Sequence, residues 1–293
     1  MLISKALDEI AAGDHACVVM DSDEQHWEIA AEFIIGGLAR DEKVIYYDGA
    51  RSTEPVLRRL RESNVDVAAQ LRAGRLAMMP PEVTSQLWKM PIPELLSVLG
   101  ATVGEALAEG YESIRITDEP AGAAKRPAGV ALADYDKAVH EAIQGVPVSL
   151  LCQYERTDWS VSELDDLCSL HPIEVSAPAI YDDGLLRITR TAPFGVRAAG
   201  EIDFSNRHLV RGILDKELDS AMRALRHNGE IAVHLESLRF ADVTTIVQFV
   251  QAAEGFPESH RLVLYGVQPV VRRVLDRCGA AFTSQLTLRE APS

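Results

Sequence analysis

The chain has 293 residues, of which 47% are hydrophobic and 25% charged, a composition typical of a globular protein with two domains. Its formal net charge of −15 and its scattered basic residues argue against a surface that binds nucleic acid. The four cysteines, at positions 17, 152, 168 and 278, form no CxxC pair, so we expect reduced thiols and a cytoplasmic location, and no disulfide framework.

The first ten residues predict a short amphipathic helix. They lack the cationic region followed by an apolar run that marks a signal peptide. No apolar run approaches the roughly 18 residues that a membrane span requires, so we expect no association with a membrane.

Apolar runs of β type then alternate with helical patterns through the first half of the chain. Strands are predicted at residues 16–20, 43–47, 76–79, 113–117 and 148–152. Helices are predicted at residues 24–38, 53–63, 92–109, 132–144 and 161–170. Continuous apolar strands separated by helices indicate an α/β fold with a mostly parallel sheet and helices on both faces.

Prolines and an Asp-Asp-Gly sequence break this pattern between Pro172 and Asp183. We therefore expect a first domain at residues 1–175, a linker at 176–184 and a smaller α/β domain at 185–293. In the second domain, strands are predicted at residues 185–189, 196–199, 230–235, 261–265 and 286–288. Helices are predicted there at residues 206–225, 243–253 and 268–278.

Reactive side chains in the first domain lie near strand ends, where parallel sheets form their ligand crevice. His15 and Cys17 would point to the same face of their strand. They could bind a small polar ligand or a soft metal, but a single buried Cys or His is more often structural. No metal-ligand spacing is present, so we predict no bound metal and no cofactor.

The turn after the first strand, Asp21 to His26, contains neither glycine nor lysine and is acidic. A phosphate-binding loop needs both backbone freedom and a cation, so we do not expect ATP hydrolysis or enzymatic activity. An enzyme that uses Glu119, His15 and Cys17 for acid–base or nucleophilic chemistry is the alternative.

Several short motifs of the first half resemble those of the MEDS family of sensory domains. They are His15-Ala-Cys17, Gly74-Arg-Leu76, Ala108-Glu-Gly-Tyr111, and Leu151-Cys-Gln-Tyr-Glu-Arg156 with His171-Pro172. The resemblance implies a RecA/KaiC-like fold without a working phosphate loop, and a pocket for a small hydrocarbon-like molecule. With Asp21 added from its position at a strand end, the candidate ligand-binding residues are His15, Cys17, Asp21, Glu119, Tyr135, Cys152, Tyr154 and His171.

Two corners of the second domain place an Asp at the end of a strand, with hydroxyl residues directly behind it. Asp203 precedes Ser205, and Asp242 precedes Thr244 and Thr245. Asp242 is predicted to cap the helix that starts at Val243, and a phosphate in its first turn would add about 1.5–2 negative charges. From the residue types alone, the simpler interpretation is that each Asp only caps an ordinary helix and has no regulatory role.

The order of elements from about Leu185 to Leu288 resembles a STAS domain, the fold of anti-sigma-factor antagonists. Gly200-Glu-Ile-Asp203 is similar to a Gly-Glu-Leu-Asp strand end, and Leu238 to Ile246 is similar to the motif Leu-x-Phe-Ile-Asp-Ser-Ser-Gly-Leu. The resemblance implies that an anti-sigma factor acting as a switch-type serine-threonine kinase phosphorylates Thr244 and is then released. The implied partner contacts are Asp203, Ser205, Asp242 and Thr245.

The chain departs from the STAS motif, because Val243 replaces its first Ser, Thr245 replaces its Gly, and the phosphoacceptor Thr244 is a Thr where the motif has Ser. A docking module that never receives phosphate, acting as the scaffold of a stress-sensing assembly, is therefore an alternative. Our main hypothesis is a two-domain regulator of transcription in a stress response, with a sensory first domain and a switching second domain. The sequence leaves homo-oligomerisation open.

Overall fold

The computed structural model describes residues 3–49, 53–119, 132–175, 179–191, 193–224 and 229–290. The chain divides into two compact units, Met1–Ala177 and Pro178–Ser293. No helix of the described ranges is both long and apolar enough to cross a membrane.

Strands of the first unit form one sheet in which each neighbouring pair runs parallel. The strands are β1 (Ile3–Lys5), β2 (His15–Met20), β3 (Lys43–Tyr47), β4 (Leu76–Met79), β5 (Ile114–Asp118), β6 (Val148–Glu155) and β7 (Ile173–Val175). Their order in the sheet is β1-β7-β2-β6-β5-β3-β4. β6 is buried along its whole length, as expected for a strand with helices on both sides.

Helices of the first unit pack on both faces of this sheet. They are α1 (Asp23–Ala39), α2 (Glu54–Glu62), α3 (Val67–Arg72), α4 (Pro81–Leu87), α5 (Ile92–Ala108), α6 (Leu132–Ile143) and α7 (Val161–Ser169). One core contains Ile116 and Cys152 of the sheet with Val103 of α5 and Val139 of α6. Separate cores on the opposite face include residues of α1, such as Phe33.

The expectation of a helix at the amino terminus is wrong. Ile3–Lys5 is instead a strand, and it pairs with β7 in the register Ile3 to Ile173. A single turn of 3-10 helix follows at Leu7–Glu9. The sheet edge supplies backbone hydrogen-bond partners that an isolated amphipathic pattern does not reveal. The short helices α3 and α4 also escaped the sequence pattern.

The second unit is the smaller α/β domain that the sequence predicts. Its strands are β8 (Tyr181–Asp182), β9 (Leu186–Arg190), β10 (Gly195–Ile202), β11 (Glu230–His234), β12 (Leu238–Ala241), β13 (Arg261–Tyr265) and β14 (Leu286–Arg289). The strand order is β14-β13-β11-β10-β9-β8, and β12 also pairs with β10. The helices are α8 (Arg207–Arg223), α9 (Val243–Glu254) and α10 (Pro269–Arg277), which bury Leu214, Phe249 and Leu275 in one core with the sheet.

Gly200 allows β10 to pair with β12 beyond its pairing with β11. Its φ is +101°, and a Cβ at this position would lie 2.0 Å from the carbonyl oxygen of Leu185. The register shifts directly after Gly200, and Ile202 then pairs with Ala241. The carboxyl ends of β10 and β12 consequently lie next to each other, with the two Asp-containing corners behind them.

Candidate functional site

The two corners of the second unit meet where β10 and β12 end. The amide of Asp242 donates to the carbonyl oxygen of Ile202 at 3.0 Å, which ties the corners together by their backbones. α8 begins at Arg207 and α9 at Val243, so two helix amino termini follow the paired strand ends. Their positive dipole ends favour negative charge in this region.

Asp242 caps α9, as the sequence predicts. Its carboxylate accepts from the backbone N–H of Thr245 at 2.7 Å and from the Thr245 hydroxyl at 2.8 Å. Arg207 Nη1 donates to its second oxygen at 2.6 Å. Partial burial alone would raise the pKa of Asp242, but the hydrogen bonds from Thr245 and Arg207 outweigh it and hold the pKa below its usual value.

Asp203 organises the other corner in the same manner. Its carboxylate accepts from the Ser205 N–H at 2.8 Å and from the Ser205 hydroxyl at 2.6 Å. Asn206 is buried, accepts from the Asp203 N–H at 3.0 Å and donates to the Glu201 carbonyl at 3.1 Å. Asp203 is half-buried and Ser205 exposed, so both expected partner contacts reach the surface.

The two threonines of α9 have opposite environments. Thr244 is exposed, whereas Thr245 is fully buried with its hydroxyl donated to Asp242. Thr245 therefore does not lie at the surface where the resemblance would place a partner contact. It supports the cap from inside, and its branched side chain is turned away from the exposed Thr244.

Exposed apolar side chains accompany these polar corners. Phe204, directly after Asp203, is 77% exposed, and Val243, directly after Asp242, is 60% exposed. Phe240 on β12 is also exposed. The partner contacts predicted from the sequence include only polar residues, although the apolar residue directly behind each corner Asp, Phe204 or Val243, is visible in the sequence. Such residues beside polar groups are the usual centre of a protein-binding surface.

A second group of functional side chains gathers in the first unit. The predicted residues His15, Cys152, Tyr154 and His171 come together, and His140 and Asp136 of α6 complete the group. His15 Nδ1 lies 3.3 Å from His140 Nδ1, and His15 Nε2 lies 3.6 Å from Cys152 Sγ. The sequence could not place His140 and Asp136, because nothing local shows which turns of α6 face the sheet.

The charge state of this group follows from its burial. Desolvation, reinforced by the neighbouring His171 and His140, lowers the pKa of His15 to about 2. Desolvation also lowers the pKa of His171 to about 4, although its hydrogen bond to the Leu167 carbonyl acts in the opposite direction. Both imidazoles are therefore neutral at pH 7 and present lone pairs.

An apolar cavity of about 60 Å³ adjoins the group. Its walls include Trp88, Leu99 and Tyr135, and Asp118, Asp136 and Cys152 form a polar patch in its lining. Trp88 and Tyr135 pack against each other with ring centroids 4.4 Å apart. Desolvation, with the nearby Asp136 carboxylate, raises the pKa of Asp118 to about 8, as expected for a carboxyl group in such a cavity.

Three predicted ligand-binding residues, Asp21, Glu119 and Cys17, lie outside this group and its cavity. Asp21 is exposed and pairs with Arg156. Glu119 is buried in contact with His26 and Tyr46, which belong to the face of the sheet opposite His15 and Cys17. Glu119 is therefore separated from His15 and Cys17, the two residues with which it would have to form an enzyme's active site.

Cys17 shares a face with Cys152, its register partner. Interaction with the Cys168 thiol, together with burial, raises the pKa of Cys17.

Comparisons with known proteins agree with this arrangement. The family model described as MEDS, "MEthanogen/methylotroph, DcmR Sensory domain", matches residues 14–172, more than half of the chain. The model of the STAS domain matches residues 187–291. The flagellar accessory protein FlaH from Methanocaldococcus jannaschii is similar in structure, with 11% identity and a TM-score of 0.45, over 65% of this chain and 80% of that chain. The comparison with curated proteins finds no significant match. The predicted family arrangement and fold class are confirmed.

Proposed function

Because the chain belongs to the MEDS family of sensory domains and carries a STAS domain, we propose that it is a signalling protein of the anti-sigma-factor-antagonist type. Its second unit binds an anti-sigma factor or switch-type kinase, and phosphate on Thr244 ends that binding. Its first unit binds a small molecule and modulates the interaction. The protein acts by binding and not by turnover.

The observation that carries this proposal is the exposure of Thr244 in the first turn of α9, beside the Asp242 cap. A kinase needs the acceptor hydroxyl at the surface. Of the two threonines behind Asp242, Thr244 meets this condition and the buried Thr245 does not. The structure thereby favours the residue that matches the STAS phosphoacceptor.

The surface around Thr244 is suited to a reversible interaction. The exposed Phe204 and Val243 offer apolar contact area, while Asp203 and Ser205 offer polar contacts. Phosphate would place about 1.5–2 negative charges within two residues of the Asp242 carboxylate. A partner that packs on this surface would then have to desolvate the added charge, which weakens binding.

For the first unit, the proposed sensory site is the cavity lined by Trp88, Leu99 and Tyr135. Its apolar walls and the carboxyl and thiol groups in its lining suit a molecule with a short apolar body and one hydrogen-bonding group. If this ligand alters binding of the partner by the second unit, the partner must alter ligand affinity by the same factor.

Incubation of the purified chain with a candidate anti-sigma kinase and ATP, followed by mass spectrometry, tests the switch. We expect phosphate on Thr244 and a loss of kinase binding by Thr244→Asp of at least about tenfold, since 1.4 kcal/mol suffices for that factor. Thr244→Ala should bind but accept no phosphate.

Ser205→Asp is the matched control, because Ser205 is also exposed, at the neighbouring corner, but is not the proposed acceptor. It should reduce binding less than Thr244→Asp and leave phosphorylation of Thr244 intact. Phosphate confined to other residues, or full binding by Thr244→Asp, would sink the proposed switch. Binding without any phosphorylation would favour the scaffold alternative.

A further inference from the structure

Four potential metal ligands converge at the buried group of the first unit. His15 lies on β2, Asp136 on α6 and Cys152 on β6. His171 lies two residues after the end of α7. One ligand atom of each lies within 4.8 Å of the corresponding atoms of the others, and all four residues are buried. Burying so many nitrogen, sulfur and oxygen ligand atoms in an apolar interior costs free energy unless hydrogen bonds or a bound cation satisfy them.

His171 holds its ring in the orientation that a metal ligand needs. Its Nδ1 donates to the Leu167 carbonyl at 2.9 Å, which fixes the tautomer and leaves a lone pair on Nε2. The side chain is 2% exposed, and Nε2 has no hydrogen-bond partner among the described residues. A buried nitrogen lone pair with no donor is the atom that a cation would satisfy.

The other ligands have supporting partners of the same kind. In the tautomer that leaves His15 Nε2 free for a metal, His15 Nδ1 donates to His140 Nδ1 across 3.3 Å. The Tyr154 hydroxyl donates to Asp136 Oδ2 at 2.7 Å. Partners that orient imidazole and carboxylate ligands in this way are characteristic of metal centres.

One pair of ligand atoms has the separation expected in a tetrahedral zinc shell. Zn–S bonds of about 2.3 Å and Zn–N bonds of about 2.0–2.1 Å at tetrahedral angles separate sulfur from nitrogen by about 3.6 Å. Cys152 Sγ and His15 Nε2 are 3.6 Å apart. A set of two imidazoles, one thiolate and one carboxylate suits a borderline-soft ion, whereas magnesium and calcium prefer oxygen ligands throughout.

We propose that His15, Asp136, Cys152 and His171 form a binding site for one divalent transition metal ion, with zinc as the best match to the donor set. An open groove of about 750 Å³, lined in part by His140 and His171, gives the ion a route from solvent. Asp136 and Cys152 also line the apolar cavity, so the metal would contribute to the wall of the proposed sensory pocket. The site does not depend on the proposed switch at Thr244.

Metal analysis of the full chain, purified without a metal-binding tag and dialysed against metal-free buffer, tests the site directly. We expect about one zinc ion per chain, as in other four-ligand sites. Exchange of zinc for cobalt should give the visible bands of tetrahedral Co²⁺ and a near-ultraviolet sulfur-to-cobalt band. Cys152→Ser should abolish the sulfur band, and His171→Gln should abolish stoichiometric zinc.

Cys168→Ser is the matched control, since this thiol lines the groove but lies outside the four ligands. It should keep both the zinc content and the cobalt spectrum. Tyr154→Phe removes the hydroxyl that orients Asp136 without removing a ligand, and should weaken zinc binding about 10–100-fold.

Circular dichroism separates loss of metal from loss of fold in each variant. If a ligand variant does not fold, the zinc content of the unmodified chain and its cobalt spectrum still decide the question. Folded protein that takes up neither ion, or a Cys152→Ser variant with an unchanged sulfur-to-cobalt band, would overturn the proposal. Neither outcome bears on Thr244, so failure of this inference is distinguishable from failure of the proposed switch.

Discussion

Arg207, the first residue of α8, forms a 2.6 Å ion pair with Asp242, the cap of α9. The same carboxylate also holds the N–H and hydroxyl of Thr245. The Asp242 carboxylate therefore links the start of α8 to the start of α9. It also holds the buried Thr245 in the helical turn that leaves Thr244 exposed. The geometry of the candidate phosphorylation surface depends on this carboxylate.

Replacement of Asp242 by Ala should lower the free energy of unfolding by about 0.5–2 kcal/mol, since the cap of α9 is lost. Asp242→Asn should cost less, because Asn is also a good cap, but it gives up the charge of the ion pair with Arg207. Urea unfolding of the three proteins provides the measurement. Equal stability of Asp242→Ala and the unmodified chain would contradict the role of the cap.

The two neighbouring threonines should respond differently to the same change. Thr245→Val removes a buried hydroxyl that donates to Asp242, and should destabilise the chain by about 1 kcal/mol. Thr244→Val changes an exposed residue and should stay within about 0.5 kcal/mol. Thermal unfolding of both variants checks the contrast. A larger effect at Thr244 than at Thr245 would show that the burial of the two side chains is reversed.

Glu236 should make stability depend on pH in the acid range. Burial alone would raise its pKa, but His234 and Arg197 outweigh burial and lower the pKa from 4.5 to about 2. A lowered pKa in the folded state stabilises the fold above pH 4.5, and this contribution is lost as the pH falls from 4.5 towards 2.

The lost contribution amounts to about 3.5 kcal/mol at most, because one pKa unit corresponds to about 1.4 kcal/mol. Urea unfolding between pH 2 and pH 6 should therefore show a weaker pH dependence in Glu236→Gln than in the unmodified chain. Glu258→Gln, at an exposed carboxylate, is the control and should retain the full dependence. Parallel curves for the Glu236 variant and the unmodified chain would count against this assignment.

Gly200→Ala should destabilise the second unit by several kcal/mol. The substitution introduces a Cβ 2.0 Å from the Leu185 carbonyl oxygen, at a φ of +101°. Gly212→Ala is the matched control, because Gly212 lies within α8 with open space around its Cβ position. That change should stabilise the chain by about 0.5–1 kcal/mol. Similar effects at both glycines would argue against the tight approach at Gly200.

Small molecules that enter the proposed sensory cavity should change the fluorescence of Trp88, which lines it. Propanol serves as the probe, since it combines a short apolar body with one hydroxyl group. Leu99→Phe should reduce the saturable part of the response by filling the cavity, while Leu107→Phe, on the exposed side of the same helix, should leave it unchanged. An identical response from both variants would place the binding elsewhere.

Local pattern was enough to predict most of the sheet. The strands Lys43–Tyr47 and Leu76–Met79 occur where their apolar runs predict them, because burial on both faces imposes such runs on any parallel strand. Short elements were less visible. β12 has four residues, and its pairing with β10 depends on the bend at Gly200, about forty positions earlier.

The candidate sites show the same difference between features that neighbouring residues determine and features that depend on contacts between distant parts of the chain. The sequence by itself identified Thr244 and Asp242, because a strand end, a cap and the first turn of a helix are neighbours along the chain. Only the tertiary structure decided which of the two threonines is exposed, since that depends on the side of α9 that the sheet covers.

The contents of the buried group in the first unit were likewise beyond the sequence, because its four potential ligands come from separate elements that only folding brings together. Glu119 is an example of a predicted residue that the fold places outside this group. It directly follows the last residue of β5, and its side chain contacts His26 and Tyr46 on the face of the sheet opposite the group that Asp118 adjoins. Local chemistry determined which residues were candidates, and long-range packing determined which of them meet.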